Sequence, residues 1–275
     1  MREFSMSQNK QIAVLDHRPV YQEQVNHTAL SKYDMFYEVA RVIDGQVAFL
    51  DDHLERMQTS LALAGIKKRI SKNRLKQDIR LCLKSNKVKE GNIRFSAFSD
   101  GKELKWLHEL IPHYYPSPED YENGVAVAVA RFERERPNIK KWNQSMKDVV
   151  NRYKAIRDVY EVLLYNEAGL LTEGSKSNLF FIVGRKVVTA PEDLVLKGIT
   201  RKYVIQVINE LGLELQEKAV HVFDVLKYDA VFITGTSPKV LPVNEIKACC
   251  HADPQHPVLR DIMWGYNKML MSNLS

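Results

Sequence analysis

The alternation of apolar and polar positions begins with two short runs, residues 36–42 and 46–49, joined by Asp44-Gly45. That dipeptide tolerates the positive φ of a tight turn, so the pattern predicts a β-hairpin. Leu54, Met57, Leu61 and Ala64 then keep helical spacing. Asp51 and Asp52 stand where an N-cap is expected, and Gly65 stands where a helix commonly ends. A second helix is predicted over 74–85, with Leu75, Ile79, Cys82 and Leu83 on one side. Runs at 93–98 and 104–111 flank Ser99-Asp100-Gly101 and predict another hairpin.

The pattern breaks at residues 115–120, where two prolines and several polar residues interrupt both periodicities. This predicts a small domain over 1–115, a linker over 116–121 and a larger domain over 122–275. In the latter, strands are expected at 125–130, 213–220 and 230–234, and a hairpin at 179–183 and 186–189 around Gly184-Arg185. Helices are expected at 144–157, at 200–211 before Gly212, and within 256–275. Hairpins mixed with helices, without regular strand–helix alternation, point to an α+β protein of two mostly antiparallel domains.

Composition narrows the class. With 45% hydrophobic and 27% charged residues, the 275-residue chain matches a soluble globular protein. Nothing approaches the roughly 18 unbroken apolar residues of a membrane span, and the opening residues lack the apolar block of a secretory signal. The three cysteines, Cys82, Cys249 and Cys250, have no paired metal spacing, so no metal site is expected and a reducing cytoplasm is the expected location. The net charge of +6 fits either a nucleic-acid-binding protein or a basic surface that attracts small anions. The densest basic runs, around Lys67 to Arg74 and Lys84 to Lys89, lie on or beside a helix and carry no interleaved aromatic residues. They read as a solvated helix face, and no nucleic-acid partner is expected.

Four segments carry candidate chemistry. Lys197-Gly198-Ile199-Thr200-Arg201 runs into an amphipathic helix, whose first N–H groups can cradle a phosphate; Thr200 as a plain N-cap is the alternative. Thr234-Gly235-Thr236-Ser237 follows an apolar strand with small hydroxyl residues that admit a close ligand, or form a simple turn. Thr172-Glu173-Gly174-Ser175-Lys176-Ser177-Asn178 puts one carboxylate among small residues, as an exposed turn also would. In the extended stretch before Trp142, at most one of Lys140 and Lys141 can enter a given pocket, since neighbours point to opposite sides. Neither a nucleotide P-loop nor a dinucleotide glycine motif is present.

Taken in order, Lys140 to Asn143, Thr172 to Asn178, Lys197 to Arg201, and Thr234-Gly235-Thr236 followed by Leu241-Pro242-Val243 resemble the class IV aminotransferases. The likeness extends upstream to His53-Leu54-Glu55-Arg56 and Phe36-Tyr37-Glu38-Val39. These are pyridoxal-phosphate enzymes of fold type IV, including branched-chain aminotransferases, D-amino-acid aminotransferases and 4-amino-4-deoxychorismate lyases. The resemblance implies a small N-terminal α/β sandwich and a larger C-terminal, barrel-like mixed domain with helices. It also implies a homodimer acting on amino acids and 2-oxo acids by a ping-pong Schiff-base mechanism.

Carried over by position, the resemblance makes Lys140 the catalytic lysine that forms the Schiff base, while Lys141 faces away. Glu173 becomes the carboxylate that keeps the pyridine nitrogen protonated, so that the ring can accept electrons. Arg56 binds the cofactor phosphate, with Ile199, Thr200 and Thr236 completing the cradle. Arg94 and Tyr37 are substrate-side candidates, a cation for the α-carboxylate and an aromatic wall. The motif around Glu173 looks more like the aminotransferases' version than the lyases'. The arginine and histidine that D-specific enzymes place after the Arg94 strand are missing, since Ser99-Asp100-Gly101 stands there, and the stretch 30–35 lacks the usual glycines. The expected reaction is transamination of an apolar, branched-chain L-amino acid with 2-oxoglutarate as acceptor.

Overall fold

A computed structural model describes residues 11–275; the opening residues read above for a secretory signal lie, but for Gln11, outside them. The chain divides into two compact units, one running through His113 and including Ser275, the other Tyr114–Leu274.

The first unit contains β1 (Ile12–Leu15), β2 (Arg18–Tyr21), α1 (His27–Leu30), β3 (Asp34–Ile43), β4 (Gln46–Val47), α2 (Leu50–Leu63), α3 (Lys72–Ser85), β5 (Gly91–Ser99) and β6 (Leu104–Ile111). Its six strands form one antiparallel sheet in the order β2-β1-β6-β5-β3-β4. The alternation along β3 sends Phe36, Glu38, Ala40 and Val42 to one face and half-buries Tyr37, Val39 and Arg41 on the other. Helices α2 and α3 pack against strands of this sheet and bury Leu54, Met57, Leu61, Leu75 and Ile79. Complete burial of one such side chain stabilises the fold by roughly 1.5–3 kcal/mol. On the Tyr37 face a smaller cluster joins Ala13, Val25, Leu30, Phe98 and Leu107, with Tyr33 and Met35 packed against it. The atypical stretch 30–35 thus serves as packing.

Helix α2 starts differently from expectation. Its N-cap is Phe49, held at φ 53° without a side-chain cap, while Asp51 and Asp52 lie in the first turn, where their charge complements the helix dipole. Asp51 instead meets Lys76 at 2.6 Å. Among the basic residues, Lys72 pairs with exposed Glu55, while exposed Arg74 lies 3.7 Å from the buried carboxylate of Asp78.

The second unit contains α4 (Pro118–Asn123), β7 (Val125–Arg131), α5 (Gln144–Arg157), β8 (Glu161–Tyr165), β9 (Leu170–Gly174), β10 (Asn178–Val183), β11 (Lys186–Thr189), α6 (Ile199–Glu210), β12 (Glu214–Glu217), β13 (Val220–His221), β14 (Ala230–Gly235), β15 (Lys239–Ile246), β16 (Cys250–His251) and α7 (Pro257–Met271). The expected linker begins a helix instead. Pro118 sits at the helix start, where its missing N–H is harmless, and Ser117 and Asp120 form a reciprocal capping box.

The sheet runs β10-β14-β15-β7-β8-β9, and the pairing of Asn178 with Glu173 joins β10 back to β9, so six strands close into a ring. Val127, Leu163, Leu171, Leu179, Phe181, Ile233 and Leu241 form its buried core. Most pairings of this sheet are antiparallel, as the local pattern implied, while parallel pairing of β7 with both β15 and β8 makes it mixed, as the resemblance implied. The β7-α5-β8 crossover is its cause: α5 returns the chain and packs on Ala130, Val162 and Leu164. The strand expected over 213–220 breaks in two, β12 pairing with β11 and β13 with β9.

Candidate active site

The second unit brings together Glu173 and the approach to Lys140. Glu173 is the fourth residue of β9, shares a side with Leu171, and is 3% exposed rather than part of an exposed turn. Arg134 Nη1 donates to Glu173 Oε1 at 2.8 Å, and Arg134 Nη2 donates to the carbonyl of Ile139, immediately before Lys140, at 3.1 Å. The backbone N–H of Leu196 donates to Glu173 Oε2 at 3.0 Å. Burial pushes the Glu173 carboxyl up, while Arg134, the Leu196 N–H and the charge of Lys140 pull it back down. Lys140 is half-buried and Lys141 exposed.

Glu173 is coupled to the start of α6 by one side chain. Asn178, paired with Glu173 across the ring closure, donates from Nδ2 to the Leu196 carbonyl at 2.9 Å. Its Oδ1 lies so close to Gly198 that an added Cβ there would overlap it. Gly198 is the N-cap of α6 and supplies no side-chain hydrogen bond, which leaves the first N–H groups to the backbone alone. Thr200 is therefore not an N-cap. It is the second helical residue, and its hydroxyl accepts from Tyr266 at 3.5 Å. What Ile199 and Thr200 offer an anion is backbone N–H. Buried Arg201 anchors the same turn through the Ala190 carbonyl at 3.1 Å and through the Glu217 carboxylate at 2.5 Å.

Thr236 is half-buried in the β14–β15 turn, and Gly235 before it packs close to the carbonyl of Lys176. Thr234 Oγ1 is buried there without a hydrogen-bond partner. An uncapped helix start, a buried carboxylate held ionisable and an orphaned hydroxyl beside a glycine turn fit a planar, phosphorylated heterocycle with a basic ring nitrogen.

The remaining candidates belong to the first unit and divide between the two faces of its sheet. On the helix-covered face, Glu38 is fully buried and accepts from Arg56 Nε at 2.8 Å, Arg56 Nη2 at 2.5 Å and His53 Nδ1 at 2.7 Å. Burial alone would raise the Glu38 carboxyl; the guanidinium and the histidine outweigh it and hold the pKa at about 2. Arg56 is thereby fixed as a cation of set orientation. On the opposite face, Tyr37 stands on β3 two residues before Val39, which lies across from Arg94. Arg94 is ion-paired, donating from Nη2 at 2.8 Å and from Nε at 3.2 Å to one oxygen of buried Glu109. The sheet does not gather Arg56 with Tyr37 and Arg94.

Arg134 escaped the sequence reading because it lies in the charged run Arg131-Phe132-Glu133-Arg134-Glu135-Arg136, which resembles solvated chain. A signal was present: in an extended segment Phe132 and Arg134 share a side, and both are half-buried while Arg131, Glu133 and Glu135 are exposed.

The sequence pattern of the class IV aminotransferases matches residues 35–246, and the chain belongs to that family. It is 31% identical to the D-alanine aminotransferase of Bacillus licheniformis over 224 residues, covering 78% of this chain and 79% of that protein. A probable branched-chain-amino-acid aminotransferase of Thermotoga maritima is 33% identical over 163 residues, 57% of each chain. The fold superposes on the branched-chain aminotransferase of Escherichia coli with a TM-score of 0.85 at 20% identity, covering 97% of both chains. A branched-chain aminotransferase from T.th., solved with pyridoxamine 5'-phosphate, gives the same TM-score of 0.85 at 21% identity, covering 97% of this chain and 98% of that one. The protein is thus a transaminase of fold type IV, in a family that depends on pyridoxal phosphate.

Proposed function

We propose that the protein moves the amino group of an apolar, branched-chain L-amino acid to a 2-oxo acid, with pyridoxal 5'-phosphate held by the second unit's Glu173, Ile199, Thr200 and Thr236 and by Arg56. The observation that carries the cofactor assignment is the buried Arg134–Glu173 pair leading directly to Lys140. When bound, pyridoxal phosphate supplies an aldehyde that takes up the amino group and a ring that accepts electrons from the substrate's α-carbon. Glu173 would hold a proton at the pyridine nitrogen, and the Arg134 guanidinium opposes the burial that raises the Glu173 carboxyl. The N–H groups of Ile199 and Thr200, the Thr236 turn and Arg56 would bind the phosphate dianion. The Lys140 amine carries the substrate's α-proton as base and then as acid. A 2-oxo acid leaves, and a second one enters to receive the amino group.

For the substrate, Tyr37 and Val39 give the Arg94 face an apolar wall, and Glu109 already neutralises the Arg94 cation. Both features suit a neutral side chain better than an acidic one. A D-amino-acid reading is favoured by the 31% identity to D-alanine aminotransferase. Against it stands the Ser99-Asp100-Gly101 turn, where D-specific relatives carry arginine and histidine. As a homodimer in the cytoplasm the enzyme would scatter light as twice its chain mass.

The test is a half-reaction screen. Purified protein is expected to be yellow, to lose that colour in Lys140→Ala and to retain it in Lys141→Ala. L-leucine, L-isoleucine and L-valine should bleach the visible band, and D-alanine should not. The opposite pattern refutes the substrate assignment while leaving the cofactor assignment standing.

A further inference from the structure

At the end of the ring where Glu173 and Asn178 meet lies a second buried carboxylate, Glu161, the first residue of β8 and 3% exposed. None of the roles above uses it. Its Oε1 accepts from the Ser175 hydroxyl at 2.6 Å and from the Val162 N–H at 2.8 Å. Its Oε2 accepts from the Lys176 N–H at 3.2 Å and from the Ser177 hydroxyl at 3.3 Å. Three consecutive residues of the turn between β9 and β10 therefore converge on one side chain. Lys154, on α5, donates to the Tyr160 carbonyl next door at 2.5 Å, and the charge of Glu161 offsets the burial that lowers that lysine's pKa.

The two oxygens of a carboxylate offer about four lone-pair positions, one for each of these donors. The turn has no slack. The Gly174 N–H donates to the Ser177 carbonyl at 2.7 Å and the Ser175 N–H to the Val162 carbonyl at 3.0 Å. A Cβ on Gly174 would overlap Ser177 Oγ. Glu173 stands one residue before this turn, Asn178 immediately follows it, and its apex at the Lys176 carbonyl packs against Gly235, next to Thr236.

We propose that Glu161 is a positioning residue for the cofactor site. By clasping 175–177 it fixes the carboxylate of Glu173 on one side and the Thr236 turn on the other, and it touches neither cofactor nor substrate. The proposal rests on the pyridoxal-phosphate reading above. Glu161→Gln keeps the shape but turns an amide NH2 toward donors whichever way the amide is flipped, which breaks the clasp.

The experiment measures the apparent Kd of pyridoxal phosphate for cofactor-stripped protein by absorbance titration, beside thermal melting of the same stripped samples. Wild-type protein should bind. Glu161→Gln should bind about tenfold or more weakly, the loss of one charge-assisted contact, even after its melting temperature is taken into account. Ser175→Ala/Ser177→Ala should reproduce most of that loss with the carboxylate intact, and adding Glu161→Gln to the pair should weaken binding by much less than it does alone. Should Glu161→Gln not fold, the serine double variant carries the test by itself. A Kd within twofold of wild type in the folded variants overturns the proposal, whether or not melting shifts. If stripped wild-type protein binds no pyridoxal phosphate, the cofactor reading fails instead.

Discussion

Arg134 spans the two groups that define the site, its guanidinium joining the Glu173 carboxylate at 2.8 Å to the carbonyl preceding Lys140 at 3.1 Å. One planar, five-donor side chain thereby ties the carboxylate proposed for the ring nitrogen to the backbone that leads into the proposed base, Lys140. Burial raises Glu173, so removing the cation that opposes burial raises it further. Arg134→Leu is expected to move the acid limb of the kcat–pH profile to higher pH and to lower kcat at neutral pH by about 10–100-fold, the range of a lost charge contact. Arg134→Lys should recover part of the shift. A profile with an unmoved acid limb would contradict the assignment.

Glu38 couples stability to pH. Its folded pKa of about 2 lies below the ordinary value of 4.5, so its contribution is present above pH 4.5 and is lost as pH falls toward 2. The linked free energy is of the order of 3 kcal/mol. Glu38→Gln should flatten the dependence of stability on pH across that window, as read by denaturant unfolding of stripped protein at several acid pH values. It should also weaken pyridoxal phosphate binding, by releasing Arg56.

Gly198 occupies its place for steric reasons, its φ of −63° being open to any residue. Gly198→Ala would force Asn178 aside and is expected to destabilise the protein by about 1–3 kcal/mol, the usual cost of overpacking. Asn178→Ala made in the same chain should relieve the clash. Strictly additive melting shifts would mean the two do not meet.

Arg94→Ala is a poor probe of substrate binding, because it leaves buried Glu109 without its cation, a change costing roughly 3 kcal/mol. Glu109→Gln is the informative variant. It restores the full charge of Arg94, and kcat/KM for L-glutamate relative to L-leucine should rise about tenfold. An unchanged ratio would show that Arg94 does not face the substrate.

Local pattern made much of the architecture legible. Helix α5 matches its predicted bounds, and the Asp44-Gly45 turn lies as expected between β3 and β4, both its residues at positive φ. What the local pattern left out has non-local causes. The closure of β9 on β10 rests on one residue pair, and the parallel β7–β8 pairing is created by a crossover that no local alternation records. For the same reason the chemistry of Glu173 was legible as a motif, whereas Arg134, 39 positions earlier, was not.

The ring closes on a single residue pair, one member of which is the carboxylate assigned to the pyridine nitrogen. Segment 173–178 is therefore a seam as well as part of the proposed cofactor site. Exchanging it between relatives to alter specificity would re-stitch the barrel at the same stroke, so a graft would have to keep the pair at 173 and 178 and the donors at 175–177 that meet Glu161 of β8.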